Sequence, residues 1–205
     1  TKPLLVHNQG GVSTGATAVV LNVTVTNASA GSFLRVTPTG APPSNISNVN
    51  FAAGQTKANL VTVPIGAGGK IDLFTAVGST HVIVDAVGYY SPIAGKRYHA
   101  LRGPTRIVDS RLGLGLSGPV GSSMTGSFDV RGTAGNPSGV PGFARSIAMN
   151  VTVTDSTNGS FLTVYPSNIV TPNSSNINFG AGQTIPNMVI SQVPSGSQVT
   201  VYNAV

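Results

Sequence analysis

Four side-chain amides, Asn48, Asn50, Gln55 and Asn59, stand in the phrase SNVNFAAGQTKAN, which runs from Ser47 to Asn59. The phrase returns as SNINFGAGQTIPN from Ser175 to Asn187, with Asn176, Asn178, Gln183 and Asn187 at the same spacing. A row of amides offers donors and acceptors without charge, which suits recognition of sugar hydroxyls. The same residue types also build corners. Asn and Gly tolerate φ > 0, and an Asn side chain satisfies backbone groups that leave a strand ladder. The first reading is a glycan site used twice. The second, which we favour, is one corner built twice, with Gly54 and Gly182 at the turn and Phe51 and Phe179 anchored in a core.

The charged groups offer less. Arg106, Asp109 and Arg111 lie together in PTRIVDSR, and Asp85 lies in VIVDAV. Two carboxylates at a set separation are what glycoside hydrolysis uses. Nearby arginines would keep both acids ionised, however, and the second copy of the pattern reaches Val205 without a counterpart of Asp85. VIVDAV reads as a strand buried on both sides, so its carboxylate needs a partner. The expectation is a structural ion-pair group of Asp85, Arg106, Asp109 and Arg111, with bidentate pairing from an arginine of the PTR segment. His81 shares a strand face with Asp85, but no G-x-S-x-G elbow accompanies them, so no catalytic residues are assigned and no enzyme is expected. Lys96, Arg97, Arg102, Arg106 and Arg111 make a basic cluster, read as a solvated linker rather than a polyanion stripe. Five dispersed Asp residues and no Cys give no metal cluster, and no cofactor is expected.

The elements that must position these residues read as all-β. Val19, Leu21, Val23 and Val25 alternate with Val20, Asn22, Thr24 and Thr26, the period of a half-buried strand. SFLRV, ANLVTVPI, GKIDLFTAV and STHVIVDAVGYY follow, separated by Gly, Pro, Asn and Ser. LNVTVT from Leu21 meets MNVTVT from Met149 at an offset of 149 − 21 = 128, and about half the residues from Ala18 to Val61 are identical at that offset. The fold class expected is two tandem antiparallel β-sandwich domains, jelly-roll or Ig-like, from an internal repeat of about 128 residues. The first covers 1–92 and lacks a PTR head. The second covers 93–205, with the basic junction and the head, and lacks a final VGYY strand. The chain therefore reads as a window on a longer array, or as one whose neighbours complete its sheets.

Composition narrows the function classes. Of 205 residues only 8% are charged, with no Glu, no Cys and no Trp, and the net charge is +6. No apolar run is long enough to span a bilayer, so no membrane insertion is expected. Aromatics at 6% give few platforms for nucleic acid, and no such binding is expected.

PTRIVDSR, AVVLNVTVT, GSFLTVYP, SNINFGAGQTIPN and STHVIVDAVGYY together resemble a tandem β-rich repeat module of secreted and cell-surface bacterial proteins, mainly actinobacterial. The resemblance implies an extracellular β-domain without catalytic residues. The function expected is a non-catalytic repeat of an extracellular surface protein, a stalk, coat or filament that self-associates into a homopolymer or array. The alternative is a carbohydrate or cell-wall binding module with a cell-wall glycan as partner.

Overall fold

The structure, a computed structural model, describes residues 1–42, 44–131 and 138–205. The described residues form strands joined by turns, with no α-helix and one single-turn 3-10 segment at Ala67–Gly69. The chain divides into two compact units, Thr1–Lys96 and Arg97–Val205. The division falls inside the basic segment that the sequence places at the junction.

The first unit holds β1 (Lys2–Leu5), β2 (Ala18–Thr26), β3 (Ser32–Pro38), β4 (Val49–Phe51), β5 (Lys57–Pro64), β6 (Lys70–Thr75) and β7 (His81–Tyr90). They form two antiparallel sheets, ordered β1-β6-β3-β4 and β5-β2-β7. One apolar cluster takes residues from both: Val19, Leu21, Val23 and Val25 of β2 meet Leu34 and Val36 of β3, Val49 of β4 and Ile71 of β6. Valine and isoleucine suit these positions because branching at Cβ stiffens χ1 and fills a pleated surface.

The second unit holds β8 (Met124–Asp129), β9 (Ser146–Val153), β10 (Ser160–Pro166), β11 (Ile177–Phe179), β12 (Ile185–Gln192) and β13 (Gln198–Asn203). Its sheets are ordered β11-β10-β13-β8 and β12-β9. β10, β11, β12 and β13 begin and end 128 positions after β3, β4, β5 and β6, as in 160 − 32 = 128. The core here gathers Phe128, Val164, Val189, Val199 and Val201. Ile107, Val108, Leu116 and Val120, from the segment that carries PTRIVDSR, pack against it.

Two strands differ from their sequence patterns. β2 is not half-buried: Val20, Asn22 and Thr24, on the face away from the cluster, are 5%, 1% and 1% exposed. It is the central strand of its sheet, so side chains of β5 and β7 flank its small residues on both sides. β7 is the reverse case. VIVDAV is an edge strand with Ile83 exposed and Asp85 only half-buried. An unbroken apolar run fits an edge strand as well as a central one, because periodicity does not report neighbours. β7 is also bulged: Val20 pairs with Gly88 and Leu21 with Ala86, so Val87 is the extra residue.

The depth of Ile71, fully buried between the two sheets, sets a first prediction. Ile71→Ala will destabilise the first unit by about 2–5 kcal/mol, the usual range for emptying such a site. Urea unfolding followed by hydrogen exchange at β2 and β3 will show it. A loss under about 1 kcal/mol would mean that the two sheets do not close tightly on this residue.

Candidate functional site

The eight amides come together as two corners, one in each unit, with nearly the same geometry. In the first, β4 pairs with β3 over three residues and then stops. Just before it, the Asn48 N–H donates to the Leu34 carbonyl at 2.9 Å. The Asn48 Oδ1 then accepts the Val36 N–H at 2.7 Å. The side-chain amide thus replaces the next peptide carbonyl and lengthens the ladder by one rung. The Asn48 carbonyl accepts from Asn59 Nδ2 at 2.7 Å. Asn59 lies on β5, in the other sheet, so this bond ties the two sheets together.

The second corner repeats each bond. Asn176 N–H donates to the Leu162 carbonyl at 2.8 Å, and Asn176 Oδ1 accepts the Val164 N–H at 2.6 Å. Its carbonyl accepts from Asn187 Nδ2 at 2.7 Å. Asn50 Nδ2 and Asn178 Nδ2 each donate to a serine hydroxyl, Ser47 and Ser175, at 3.0 Å.

The glutamines close the turns that follow. Gln55 Oε1 accepts the Ala52 N–H at 3.0 Å, and Gln183 Oε1 accepts the Gly180 N–H at 2.9 Å. Gly54 and Gly182 have φ of 70° and 69°, where a Cβ is disfavoured. Their N–H groups donate to the Ala28 and Ser156 carbonyls at 2.7 Å, holding each turn to the loop after β2 or β9. Phe51 and Phe179 are buried, 7% and 9% exposed. The amides of the repeated phrase are therefore engaged with their own corner, the reading favoured from the sequence.

The charged group forms around Asp109. Its carboxylate accepts from Arg111 Nε at 2.9 Å and Arg111 Nη2 at 2.8 Å, a bidentate pair, and from Arg106 Nη1 at 2.8 Å. The Asp109 side chain is 5% exposed, while those of Arg106 and Arg111 are 65% and 57% exposed. The carboxylate also accepts the Arg111 N–H at 3.2 Å. The Asp109 backbone makes bonds with Leu114 in both directions. These contacts fold residues 106–115 into a tight loop, in which a Cβ at Gly115 would lie 2.5 Å from the Ile107 carbonyl oxygen. Hydrogen bonds from Arg111 outweigh the opposing effect of burial and, with the charge of Arg111 and a hydrogen bond from Arg106, hold the Asp109 carboxyl well below the usual carboxylate range.

The ion pairs found among the described residues both end on Asp109. On β7, Asp85 sits opposite Asn22, and burial pushes its carboxyl above the usual value. It is carried by an edge strand, which is why the partner expected for a fully buried carboxylate is not required. Among the described residues no three of His, Asp, Glu and Cys converge as metal ligands.

Two arginines escaped the sequence reading. Arg35 lies 4.4 Å from the Phe74 ring centroid and donates from Nη1 to the Ser44 carbonyl. Arg131 donates to Ser197 Oγ at 2.8 Å, the Ser195 carbonyl at 3.2 Å and the Ala144 carbonyl at 2.9 Å, pinning two loops. Isolated cations in strand-like runs carry no spacing signal, so nothing in the sequence marks them.

Replacing Asn48 by Ala leaves the Val36 N–H without its acceptor and is expected to lower stability by about 1–3 kcal/mol. Asn50→Ala, at an exposed position, is expected to stay within about 0.5 kcal/mol. Chemical denaturation of both variants checks the ranking, and equal effects would contradict the assigned roles.

Acid will act on the second unit through Asp109. Its folded pKa is depressed, so its contribution is complete above the unfolded value of about 3.9 and is lost as pH falls through the folded pKa. Asp109→Asn should flatten that acid limb of a thermal-melt profile. Asp85, with a raised pKa, works in the opposite sense: its cost is present above the raised value and relieved below it. A variant profile that keeps the wild-type acid limb would remove Asp109 as its origin.

No protein family matches the chain, and no curated protein or solved structure is similar to it.

Proposed function

We propose that the chain carries two β-sandwich domains, copies of one repeat of about 128 residues, and serves as a non-catalytic structural segment of an extracellular surface protein. In this reading it belongs to a stalk, coat or filament built by packing of β-domains. The observation that carries it is the pair of corners. The residues best suited to bind a ligand, Asn48, Gln55 and Asn59 and their partners Asn176, Gln183 and Asn187, are engaged in the same internal bonds twice. Keeping an eleven-residue spacing from Asn48 to Asn59 in both places serves the architecture, since each pair joins two sheets. The near-absence of charge agrees with a protein that packs against copies of itself, because little repulsion keeps them apart.

Glycan binding is the second reading. It would rest on the exposed rings of Tyr89, Tyr90 and Tyr98, which sugars can stack on.

Negative-stain electron microscopy of the native secreted material at physiological salt tests the proposal. Regular filaments or sheets with a spacing of one or two domains are expected. Isolated two-domain particles would sink the assembly reading and bring cell-wall binding forward.

A further inference from the structure

Lys96 and Arg97 mark the one place in the chain where two Lys or Arg residues adjoin. The stretch around them is unlike the rest of the described structure. Residues 92–106 are all exposed and carry no strand, bridge or hydrogen-bonded turn. Among the described residues, no hydrogen bond engages the main chain from 94 to 105. Ile93 and Tyr98 are 88% and 79% exposed, so even the large side chains here have no seat in a core. No acid stands between Asp85 and Asp109, so the stretch carries Lys96, Arg97 and Arg102 without a carboxylate of its own.

Basic residues elsewhere sit on committed main chain. Lys2, Arg35, Lys57 and Lys70 lie on strands. Arg106 and Arg111 are held on Asp109, and Arg131 pins two loops. The Arg145 carbonyl accepts the Val193 N–H at 2.9 Å. An endoprotease needs a run of main chain that can leave the fold and lie extended in its cleft, and exposed connecting segments are where such cuts concentrate. A segment already outside every ladder meets that need with no local unfolding. The apolar clusters draw on residues 4–84 and 107–201, so a break next to Arg97 takes no member from any of them.

We propose that the Arg97–Tyr98 peptide bond is a processing site for an endoprotease that recognises paired basic residues. Main-chain bonds to the cleft hold the segment as an added strand, and side-chain subsites give the selectivity. Acidic subsites take Lys96 as a compact point charge and Arg97 as a planar fork of donors. Neither Tyr98 nor His99 is Pro, so the N–H groups after the cut are present for the cleft to engage. Water is the co-substrate. Its hydroxyl adds to the Arg97 carbonyl carbon, its other proton goes to the Tyr98 nitrogen, and the C–N bond between them breaks. Arg97 ends as a carboxylate and Tyr98 as an ammonium. The site stands on the exposed main chain and the basic pair, and not on the assembly reading.

The test treats the intact folded chain with a serine endoprotease of Lys-Arg specificity and reads the products by mass spectrometry and N-terminal sequencing. One cut is expected, leaving residues 1–97 and 98–205. Because no opening step precedes it, the folded chain should be cut within about threefold of the rate for a synthetic peptide spanning 92–104. Lys96→Gln with Arg97→Gln, both at exposed positions, should slow the cut by at least about tenfold and leave the thermal melt unchanged. Material isolated from the native source should carry Tyr98 as an N-terminus. The proposal is overturned by a folded chain that resists while the peptide is cut, by a double variant cut at the wild-type rate, or by native material in which the Arg97–Tyr98 bond is always intact.

Discussion

Two sheets can share a core only if the chain crosses between them, and each crossing takes peptide groups out of a ladder. A buried peptide group without a partner is costly, so the corner has to supply one. Asn48 supplies three bonds from one residue. Its N–H and its Oδ1 engage β3 at Leu34 and Val36, and its carbonyl receives the Asn59 amide from the opposite sheet. Asn176 does the same with Leu162, Val164 and Asn187. The side chain must reach one residue spacing along the strand and present a carbonyl there, which an Asn amide does as a copy of the peptide group. With the corner fixed, Phe51 or Phe179 is delivered to the core, and the turn at Gly54 or Gly182 starts the next strand in the right sheet.

The rest of the polar chemistry follows the same uncharged style. Hydroxyl pairs bridge neighbouring segments: Thr26 with Thr56 at 2.7 Å, Ser127 with Thr200 at 2.8 Å, Ser32 with Thr75 and Thr154 with Thr184 at 3.2 Å. Cross-strand pairs of this kind contribute about 0.2–1 kcal/mol each. They do not weaken with salt as exposed ion pairs do. Asp109 carries the ion pairs found among the described residues, as a buried carboxylate held by two exposed guanidinium groups. Its work is local. It organises the loop from which Ile107, Val108 and Leu116 reach the second core. The acid placed in the candidate catalytic pair is thus committed to three charged donors and is poorly suited to take up a proton near neutral pH.

Several parts of this could be read from residues in order. β3 and β10, the glycine turns and the burial of Phe51 and Phe179 follow from alternation, turn chemistry and the recurrence of one phrase. Two kinds of feature were hidden. Which strand lies in the middle of a sheet depends on pairing between distant segments, so β2 looked half-buried and β7 looked enclosed. The half-burial of Asp85 was hidden for the same reason, since its need for a cation was argued from an enclosure that an edge strand does not provide. Arg35 and Arg131 were hidden differently. Each is held by carbonyls of loops that only the fold brings near, and Arg35 also by the Phe74 ring.

β2 and β9 make the point about neighbours as a natural experiment. The five residues they share are equally good strand formers, and both strands alternate in the same phase. One buries Asn22 almost completely and the other leaves Asn150 in solvent. Burial is then a property of the sheet order and not of the strand. An asparagine compatible with both settings is informative, because a large apolar residue there would be costly in solvent and a charged one costly under a neighbouring strand. Asn at this position can be covered or uncovered without a large penalty.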